Sequence, residues 1–217
     1  AGLWLNARLR QQGFSTLLLE QHQLGGGQSV CSQGIIHGGT KYALHGALTG
    51  SSEAIAEMPE RWRTALSGEG ELDLSGVRLL SEAHYLWSPG SIAGNMTSFL
   101  ASKAMRGRVD SVKGTQLPPA LQDKAFKGRV YRLAELVLDV PSLIKHLRDL
   151  TQDSLLHCPD LNPVFNAQQQ LSGWQTGEVN IQAQKHILCA GEGTQQLLTQ
   201  LQLNRLKQQV RPLHMVL

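Results

Sequence analysis

The first twenty residues carry a glycine and an acidic residue at a spacing that serves nucleotide binding. Glu20 follows Gly2 by 18 positions, and between them lie an amphipathic helical pattern ended by Gly13 and the apolar run Thr16 to Leu19. A dinucleotide-binding fingerprint ends in a glycine that allows close helix–strand packing, and an acid about 20 residues on accepts hydrogen bonds from the adenosine ribose. The spacing predicts this role for Glu20, although an ordinary helix, turn and strand with a chance glutamate has the same pattern.

A second glycine-rich stretch follows directly, in residues 25–39. Glycine lets the backbone approach a ligand closely and expose its N–H groups. A shorter stretch, Ala190 to Thr194, leads into a predicted last helix.

The elements that must position these residues alternate between helix and strand. After the first helix and a buried strand typical of a parallel sheet, apolar spacing predicts helices near residues 47–66, 92–106, 141–150 and 194–201. We expect Pro59 to kink or divide the first of these and Pro141 to start the third. Predicted strands are residues 77–87, 129–138 and 185–189, and short strands around a Gly173 turn in residues 155–181.

Three of these segments together resemble FAD-dependent oxidoreductases of the D-amino acid oxidase (DAO) family: Gly2 to Glu20, residues 25–39, and Ile187 to Gly191. The resemblance implies an α/β fold, with a Rossmann-like FAD-binding domain interleaved with a β-rich substrate or cap domain, here incomplete. It places FAD-binding parts at residues 1–74 and 139–217 and the cap at residues 75–138. Both ends of the chain look cut, so we expect a piece of a longer protein.

The resemblance also implies which residues contact FAD. Gly2 and Glu20 match the fingerprint. The other matching positions are Gly27, Gln28 and Ser29 at the pyrophosphate and ribityl chain, Gln33, Gly34, Ile35 and Ile36 beside the isoalloxazine ring, Val164 at the adenine, and Ala190 and Gly191 in a late motif that closes over the cofactor. Two residues depart from the family pattern: Asn6 replaces a small apolar residue, and Glu192 is unusual beside a phosphate.

His37 is the candidate catalytic residue. Its segment, Ile36-His37-Gly38-Gly39, resembles an element of the hydroxy-substrate dehydrogenases in the family. An imidazole titrates near neutrality and could take a proton from a substrate hydroxyl or amine. The alternatives are that His37 only bonds a backbone carbonyl or positions the flavin, or that it links covalently to it. Weaker candidates are His45, Lys41 and Tyr42, and the remaining histidines singled out as structural or surface residues are His84, His146, His157, His186 and His214.

The predicted function is an FAD-dependent oxidoreductase that oxidises a small amine or hydroxy acid by hydride transfer to flavin N5. The alternatives are a non-catalytic FAD- or nucleotide-binding module and an NAD-linked Rossmann enzyme. A plain NAD domain has no use for the stretch 25–39 or for the late motif, which favours the flavin. The substrate's identity, the electron acceptor and the oligomeric state stay open.

Composition narrows the class further. The net charge is +3 without a dense basic cluster, so a nucleic-acid groove is poorly supported. No apolar run reaches the roughly 18 residues that span a bilayer. The 3 cysteines are far apart, which is neither a disulfide framework nor a zinc pattern and suits a reducing compartment. We therefore expect a cytoplasmic location, a small-molecule substrate, no nucleic-acid partner and no metal.

Overall fold

The computed structural model describes residues 1–39, 55–88, 109–203 and 205–209. In this part of the chain the helices are α1 (Gly2–Gln11), α2 (Met58–Leu66), α3 (Val140–Asp149) and α4 (Thr194–Gln200). The strands are β1 (Leu18–Glu20), β2 (Leu79–Ser81), β3 (His84–Ser88), β4 (Val109–Val112), β5 (Arg129–Leu133), β6 (Val137–Leu138), β7 (Leu155–His157), β8 (Asn162–Phe165), β9 (Leu171–Thr176) and β10 (Val179–Gln182).

Several sequence predictions lie outside the described residues. They are the helix at residues 92–106, the start of the helix at 47–66, and the residues Lys41, Tyr42, His45 and His214.

Helix boundaries follow local sequence signals. α1 ends where Gly13 adopts φ +85°, and the Phe14 N–H donates to the Leu9 carbonyl at 3.0 Å, as in a Schellman motif. Pro59 lies in the first turn of α2, so it does not kink this helix; whether it divides a longer helix depends on residues 47–54, outside the described part of the chain. Pro141 likewise lies at the start of α3. The predicted ends at Gly13 and near Pro141 are confirmed.

The chain forms two compact units: Ala1–Cys31 with Ile144–Leu217, and Ser32–Leu143. In the first unit β1 runs parallel to β7, and β8, β9 and β10 form an antiparallel sheet. In the second unit β3, β5 and β4 form an antiparallel sheet, and β2 pairs with β6. The predicted domain boundaries after residues 74 and 138 stay predictions.

A buried polar chain ties α1 to the neighbouring elements of the first unit. The Asn6 side-chain amide donates to Ser154 Oγ at 2.9 Å and accepts from Thr16 Oγ1 at 2.6 Å. Ser154 Oγ in turn donates to the Thr151 carbonyl at 3.0 Å. Because Asn6, Ser154 and Thr151 are buried, these bonds replace those that water would provide.

The second unit has an aliphatic core. Leu72, Leu74, Leu136 and Leu138 are all within 2% of complete burial. Leu136 and Leu138 flank Val137 in the segment that leaves β5, so this segment is held at the centre of the unit.

Five strand predictions need correction. The predicted strand at residues 77–87 is divided into β2 and β3, and the one at residues 129–138 is divided into β5 and β6. Gly173 lies inside β9 instead of at a turn, and it pairs with Gln182 of β10. A Cβ there would press on the Ile181 carbonyl oxygen of the paired strand, so glycine fits this position. The turn is at Gly177, with φ +54°. Residues 185–189 form no strand, since no described residue pairs with them. The strand near Leu17 begins at Leu18 and is only half-buried, and Leu17 itself is 53% exposed. In the described part of the chain no helix has the length and apolarity to cross a membrane.

We predict that Asn6→Ala lowers the free energy of unfolding by about 1–3 kcal/mol, because Ser154 and Thr16 lose a partner in a buried position. Urea unfolding of the wild type and the variant measures this difference. Gln12→Ala, at an exposed position just after α1, is the matched control and should change stability by less than about 0.5 kcal/mol. Equal losses in the two variants would show that the buried amide has no special role.

Candidate functional site

Antiparallel backbone pairing places His37 beside Glu135. Ile35 forms an isolated antiparallel bridge with Val137. In such a pair, a step forward along one strand corresponds to a step backward along the other. Two positions beyond Ile35 therefore come to lie opposite two positions before Val137, and these positions are His37 and Glu135.

Gly34 is required by this pairing. Its φ is +70°, and its carbonyl accepts the Leu138 N–H at 2.9 Å. A Cβ at this position would collide with the Leu138 carbonyl oxygen, so only glycine fits the close approach of the two backbones. The contact that the family resemblance implies between Gly34 and the flavin stays a prediction.

A second pairing brings His84 to the same carboxyl group. His84, the first residue of β3, pairs with Leu133 at the end of β5. Glu135 follows Leu133 by two residues, so the pairing of β3 with β5 brings the His84 imidazole close to the Glu135 side chain. His37, His84 and Glu135 are called the His–Glu–His cluster below.

The cluster is held by hydrogen bonds to both carboxylate oxygens. Glu135 Oε2 lies 3.0 Å from His37 Nδ1 and 3.3 Å from His84 Nδ1. Oε1 accepts the Gly38 N–H at 2.9 Å. The Glu135 side chain is 4% exposed, against 37% for His37 and 23% for His84. The carboxylate is thus enclosed, while the His37 ring reaches solvent-accessible space.

The Glu135 carboxyl is ionised over the physiological range. Burial by itself raises its pKa, but the hydrogen bonds from His37, His84 and Gly38 outweigh burial and lower the pKa from 4.5 to about 2. An ionised carboxylate only accepts hydrogen bonds. The protons in the two bonds to Oε2 therefore belong to the Nδ1 atoms of the histidines.

The same donor set has the composition of a metal site. One ligand atom from each member of the cluster lies within 4.8 Å of the other two, and imidazole with carboxylate suits several transition metals. The sequence predicted no metal, and this cluster was not among the patterns considered. Hydrogen bonds between the members account for the same distances.

The second unit also contains a cavity of about 630 Å³ beside β4 and β5, whose lining includes Lys113, Phe126 and Tyr131. No member of the His–Glu–His cluster lines it. The cavity and the cluster are therefore separate features of this unit.

In the first unit, the start of α1 is packed closely against its surroundings. A Cβ added to Gly2 would lie 3.1 Å from the Leu18 side chain of β1 and 3.4 Å from Cys189. A fingerprint glycine that allows close helix–strand packing has this environment. The residue before the late motif, Cys189, thus lies next to the first predicted cofactor residue.

Glu20 lies at the end of β1, paired in parallel with His157. One of its carboxylate oxygens, Oε1, accepts the His22 N–H at 3.0 Å. This bond holds the side chain at the carboxyl end of the strand, which is where ligands bind in open α/β sheets.

The glycine-rich turn of the first unit has a negative neighbour. Gly27 has φ +65°, and a Cβ there would lie 3.1 Å from Glu192 Oε1. Gln28 and Ser29 follow in the same exposed turn. The exposed Glu192 side chain must swing away from Gly27 before a phosphate could approach this turn.

Two further predicted positions, Val164 and Gly191, have carbonyl groups that already accept hydrogen bonds from protein side chains. The Val164 carbonyl, in β8, accepts the Ser172 hydroxyl at 3.1 Å. The Gly191 carbonyl, next to Ala190, accepts the Gln208 side-chain amide at 2.8 Å. Gln208 Oε1 also accepts the Gln195 N–H at 3.0 Å. One backbone N–H in the first turn of α4 therefore already has a hydrogen-bond partner.

The structure groups the predicted residues by unit. Gly2, Glu20, Gly27, Gln28, Ser29, Val164, Ala190 and Gly191 belong to the first unit, and Gln33, Gly34, Ile35 and His37 belong to the second. None of these assignments to FAD is tested by the geometry, and each stays a prediction.

Sequence reasoning missed two members of the cluster. His84 was interpreted as a structural or surface histidine, and Glu135 was not singled out. A signal was present for Glu135: it is an acidic residue enclosed by Leu133, Ala134, Leu136 and Val137. A carboxylate in an apolar run is rarely buried without a partner, so a search for cationic or hydrogen-bonding residues was justified there.

Comparison with known proteins identifies the family. The family model described as FAD dependent oxidoreductase (DAO) matches residues 1–217. The chain belongs to this family. FAD is therefore the family's cofactor, and the NAD-linked alternative loses its support.

Two relatives illustrate the match. The probable FAD-dependent oxidoreductase PA4991 of Pseudomonas aeruginosa is 60% identical over 217 residues, which is 100% of this chain and 55% of the relative. A crystal structure of PA4991 aligns with a TM-score of 0.74 and 50% identity, over 93% of this chain and 47% of the other. The chain thus spans about half the length of the curated relative it matches.

A more distant solved structure shows the fold alone. Glycine oxidase from Bacillus cereus aligns with a TM-score of 0.60 at 10% identity, over 91% of this chain and 57% of the other. The mixed α/β fold is accordingly shared with this structure.

We predict that the ionisation of Glu135 makes the free energy of unfolding depend on pH in the acid range. Its pKa is lower in the folded protein than in the unfolded chain, so the ionised carboxylate stabilises the fold above about pH 4.5 and this stabilisation is lost as the pH falls to about 2. Glu135→Gln removes the titrating group. As the pH falls from about 5 to about 2, the free energy of unfolding should decrease in both proteins. The decrease should be smaller in the variant by up to about 3 kcal/mol, at about 1.36 kcal/mol per pKa unit.

Urea unfolding at a series of pH values measures this difference. Glu69→Gln, at an exposed position of the same unit, should keep the wild-type slope. Parallel curves for the wild type and Glu135→Gln would contradict the lowered pKa.

Proposed function

We propose that the protein is an FAD-dependent oxidoreductase that oxidises a small amine or hydroxy acid, with His37 as the base that removes the substrate's proton. One observation supports this role most strongly: the His37 ring is 37% exposed, while its Nδ1 is bonded to the 4% exposed Glu135 carboxylate. Such an arrangement leaves Nε2 as the ring atom with a lone pair. A neutral imidazole held in this way can accept a proton from a substrate hydroxyl or amine.

The residues of the first unit fit the adenosine end of FAD. The tight environment of Gly2 and the carboxylate of Glu20 at the end of β1 support this assignment, because a dinucleotide fingerprint needs a closely packed glycine and an acid at the strand end. We propose that these residues bind FAD in a Rossmann-like arrangement, with Gly27, Gln28 and Ser29 toward the pyrophosphate. Glu192 must turn outward for that contact.

When bound, FAD would supply the two-electron acceptor for the substrate's hydride. The chain's own part is to hold the cofactor, to orient the substrate and to accept its proton at His37 Nε2. The β-rich cap that we propose for residues 75–138 contributes β3, which carries His84, and the segment between β5 and β6, which carries Glu135. A non-catalytic FAD-binding module is the outcome to expect if no substrate reduces the bound flavin.

We predict that Glu20 contributes to FAD binding through the adenosine ribose. Glu20→Ala in the holoprotein should weaken FAD binding by about 1–3 kcal/mol, because the ribose hydroxyls lose a carboxylate acceptor. Flavin fluorescence titration of the apoprotein gives the dissociation constants. Glu178→Ala, at an exposed position of the same unit, should bind as the wild type does, and an unchanged constant for Glu20→Ala would remove Glu20 from the site.

We also predict that loss of the His37 imidazole slows flavin reduction. His37→Asn should lower the rate of flavin reduction per bound flavin by about 10²–10⁴-fold with flavin content nearly unchanged. Asparagine retains an N–H donor that can reach Glu135, so the variant removes the base and keeps the bond. Anaerobic stopped-flow reduction with a panel of small amines and hydroxy acids measures the rate.

His157→Asn, at an exposed position of β7, is the control and should reduce flavin at the wild-type rate. If His37 only positions the ring, flavin content falls together with activity. Full flavin with a near wild-type reduction rate would exclude His37 from the mechanism.

A further inference from the structure

The Glu135 carboxylate is an acceptor shared by three donors from two parts of the second unit. It accepts hydrogen bonds from Nδ1 of His37 and from the backbone N–H of the next residue, Gly38. It also receives Nδ1 of His84, from β3. A side chain that binds both an imidazole and the adjacent backbone fixes the ring more tightly than a single bond does, because the ring can neither flip nor move away from its own peptide.

The bonding pattern selects one tautomer of His37. An ionised carboxylate has no proton to donate, so the His37 Nδ1 must carry the hydrogen of the 3.0 Å bond to Oε2. Nε2 is then unprotonated in the neutral ring. Which ring nitrogen is basic is set by the bond that the other nitrogen makes.

We propose that Glu135 is the positioning residue of His37, which it holds in the Nδ1–H tautomer with Nε2 as the proton acceptor, and that His84 holds the shared carboxylate oxygen in place. This inference rests on the proposed role of His37 as the base. During the reaction the substrate's proton goes to Nε2, the Nδ1 hydrogen stays where it is, and the neighbouring carboxylate stabilises the imidazolium that forms.

The charges around the cluster are consistent with this role. His37 and His84 meet in an edge-to-face arrangement, with ring centroids 6.1 Å apart. Arg63 of α2 donates to the Ala134 carbonyl at 2.9 Å and also bonds Glu60, so it engages the backbone next to Glu135 instead of the carboxylate. The described acceptor for both imidazoles is therefore Glu135.

A metal ion would require the opposite tautomer. A metal bound by the Nδ1 atoms uses their lone pairs, and the neutral rings then carry their hydrogens on Nε2. The two arrangements exclude one another at the same atoms. The protonation state of the His37 nitrogens therefore separates a positioning carboxylate from a metal site, and it does so without any measurement of activity.

The test is long-range ¹H–¹⁵N correlation spectroscopy of the holoprotein labelled with ¹⁵N-histidine, at a pH where the rings are neutral. The signals of His37 are assigned by their loss in His37→Asn. We expect a protonated Nδ1 and an unprotonated Nε2 in the wild type, and a mixture of tautomers in Glu135→Gln. An Nε2–H form in the wild type would overturn the proposal, as would a Glu135→Gln spectrum in which His37 keeps the wild-type tautomer.

Kinetics supply the second readout. Glu135→Gln should lower the rate of flavin reduction about 10-fold or more at unchanged flavin content, within the range of acid–base catalysis. Glu135→Asp keeps the charge and should restore part of that rate and the Nδ1–H signature, which a purely structural role of Glu135 would not require. His84→Phe should show a smaller loss, and Glu69→Gln should behave as the wild type.

Failure of the inference and failure of the proposed function give different results. If His37→Asn reduces flavin at the wild-type rate, the base is elsewhere whatever the tautomer is. If His37→Asn is slow but the wild-type ring carries its hydrogen on Nε2, the base stands and Glu135 does not position it. An Nε2–H form that converts to Nδ1–H after chelation, and returns on adding Zn²⁺, identifies a metal site and overturns the proposal.

Discussion

The hydrogen bonds to the buried Glu135 carboxylate are the interaction on which the candidate site depends. Removing an ionised carboxylate from water is costly unless its oxygens regain partners. Here the partners are two imidazoles and a backbone N–H, and they come from segments far apart in the chain. The carboxylate cannot be satisfied unless these segments meet in one arrangement, so the same bonds that offset desolvation also set the position of the His37 ring.

The backbone around Glu135 is organised to the same end. The bridge between Ile35 and Val137 sets the register, and the positive φ of Gly34 allows the close approach that the bridge needs. The buried Leu136 and Leu138 anchor the segment in the core. Apolar packing holds this segment in the core, and the polar cluster at its start forms the candidate site.

In the first unit, buried hydrogen bonds allow a polar side chain to lie on the inner side of α1. Asn6 stands on α1 where the family resemblance leads one to expect a small apolar residue, and Ser154 and Thr16 provide its bonds. The helix can therefore pack closely through Gly2 at its start while an amide is buried one turn later. Local hydrogen bonding thus explains the departure from the family pattern at Asn6.

Local signals in the sequence determined the family and two of the helix boundaries. Gly13 ends α1 and Pro141 begins α3 because each acts through its own backbone conformation, which depends little on the rest of the chain. The spacing from Gly2 to Glu20 and the glycine-rich segments were likewise sufficient for the DAO resemblance, which the family match confirms.

Only the tertiary structure decided the candidate cluster and the role of Gly173. His37 and Glu135 are 98 residues apart, and His84 and Glu135 are 51 apart. Neither pairing has a periodicity that the sequence could display. Both follow from strand register, and register depends on which distant backbones pair. For the same reason residues 185–189 were wrongly predicted as a strand: an apolar run specifies burial, whereas a strand also needs a partner whose identity the run does not contain.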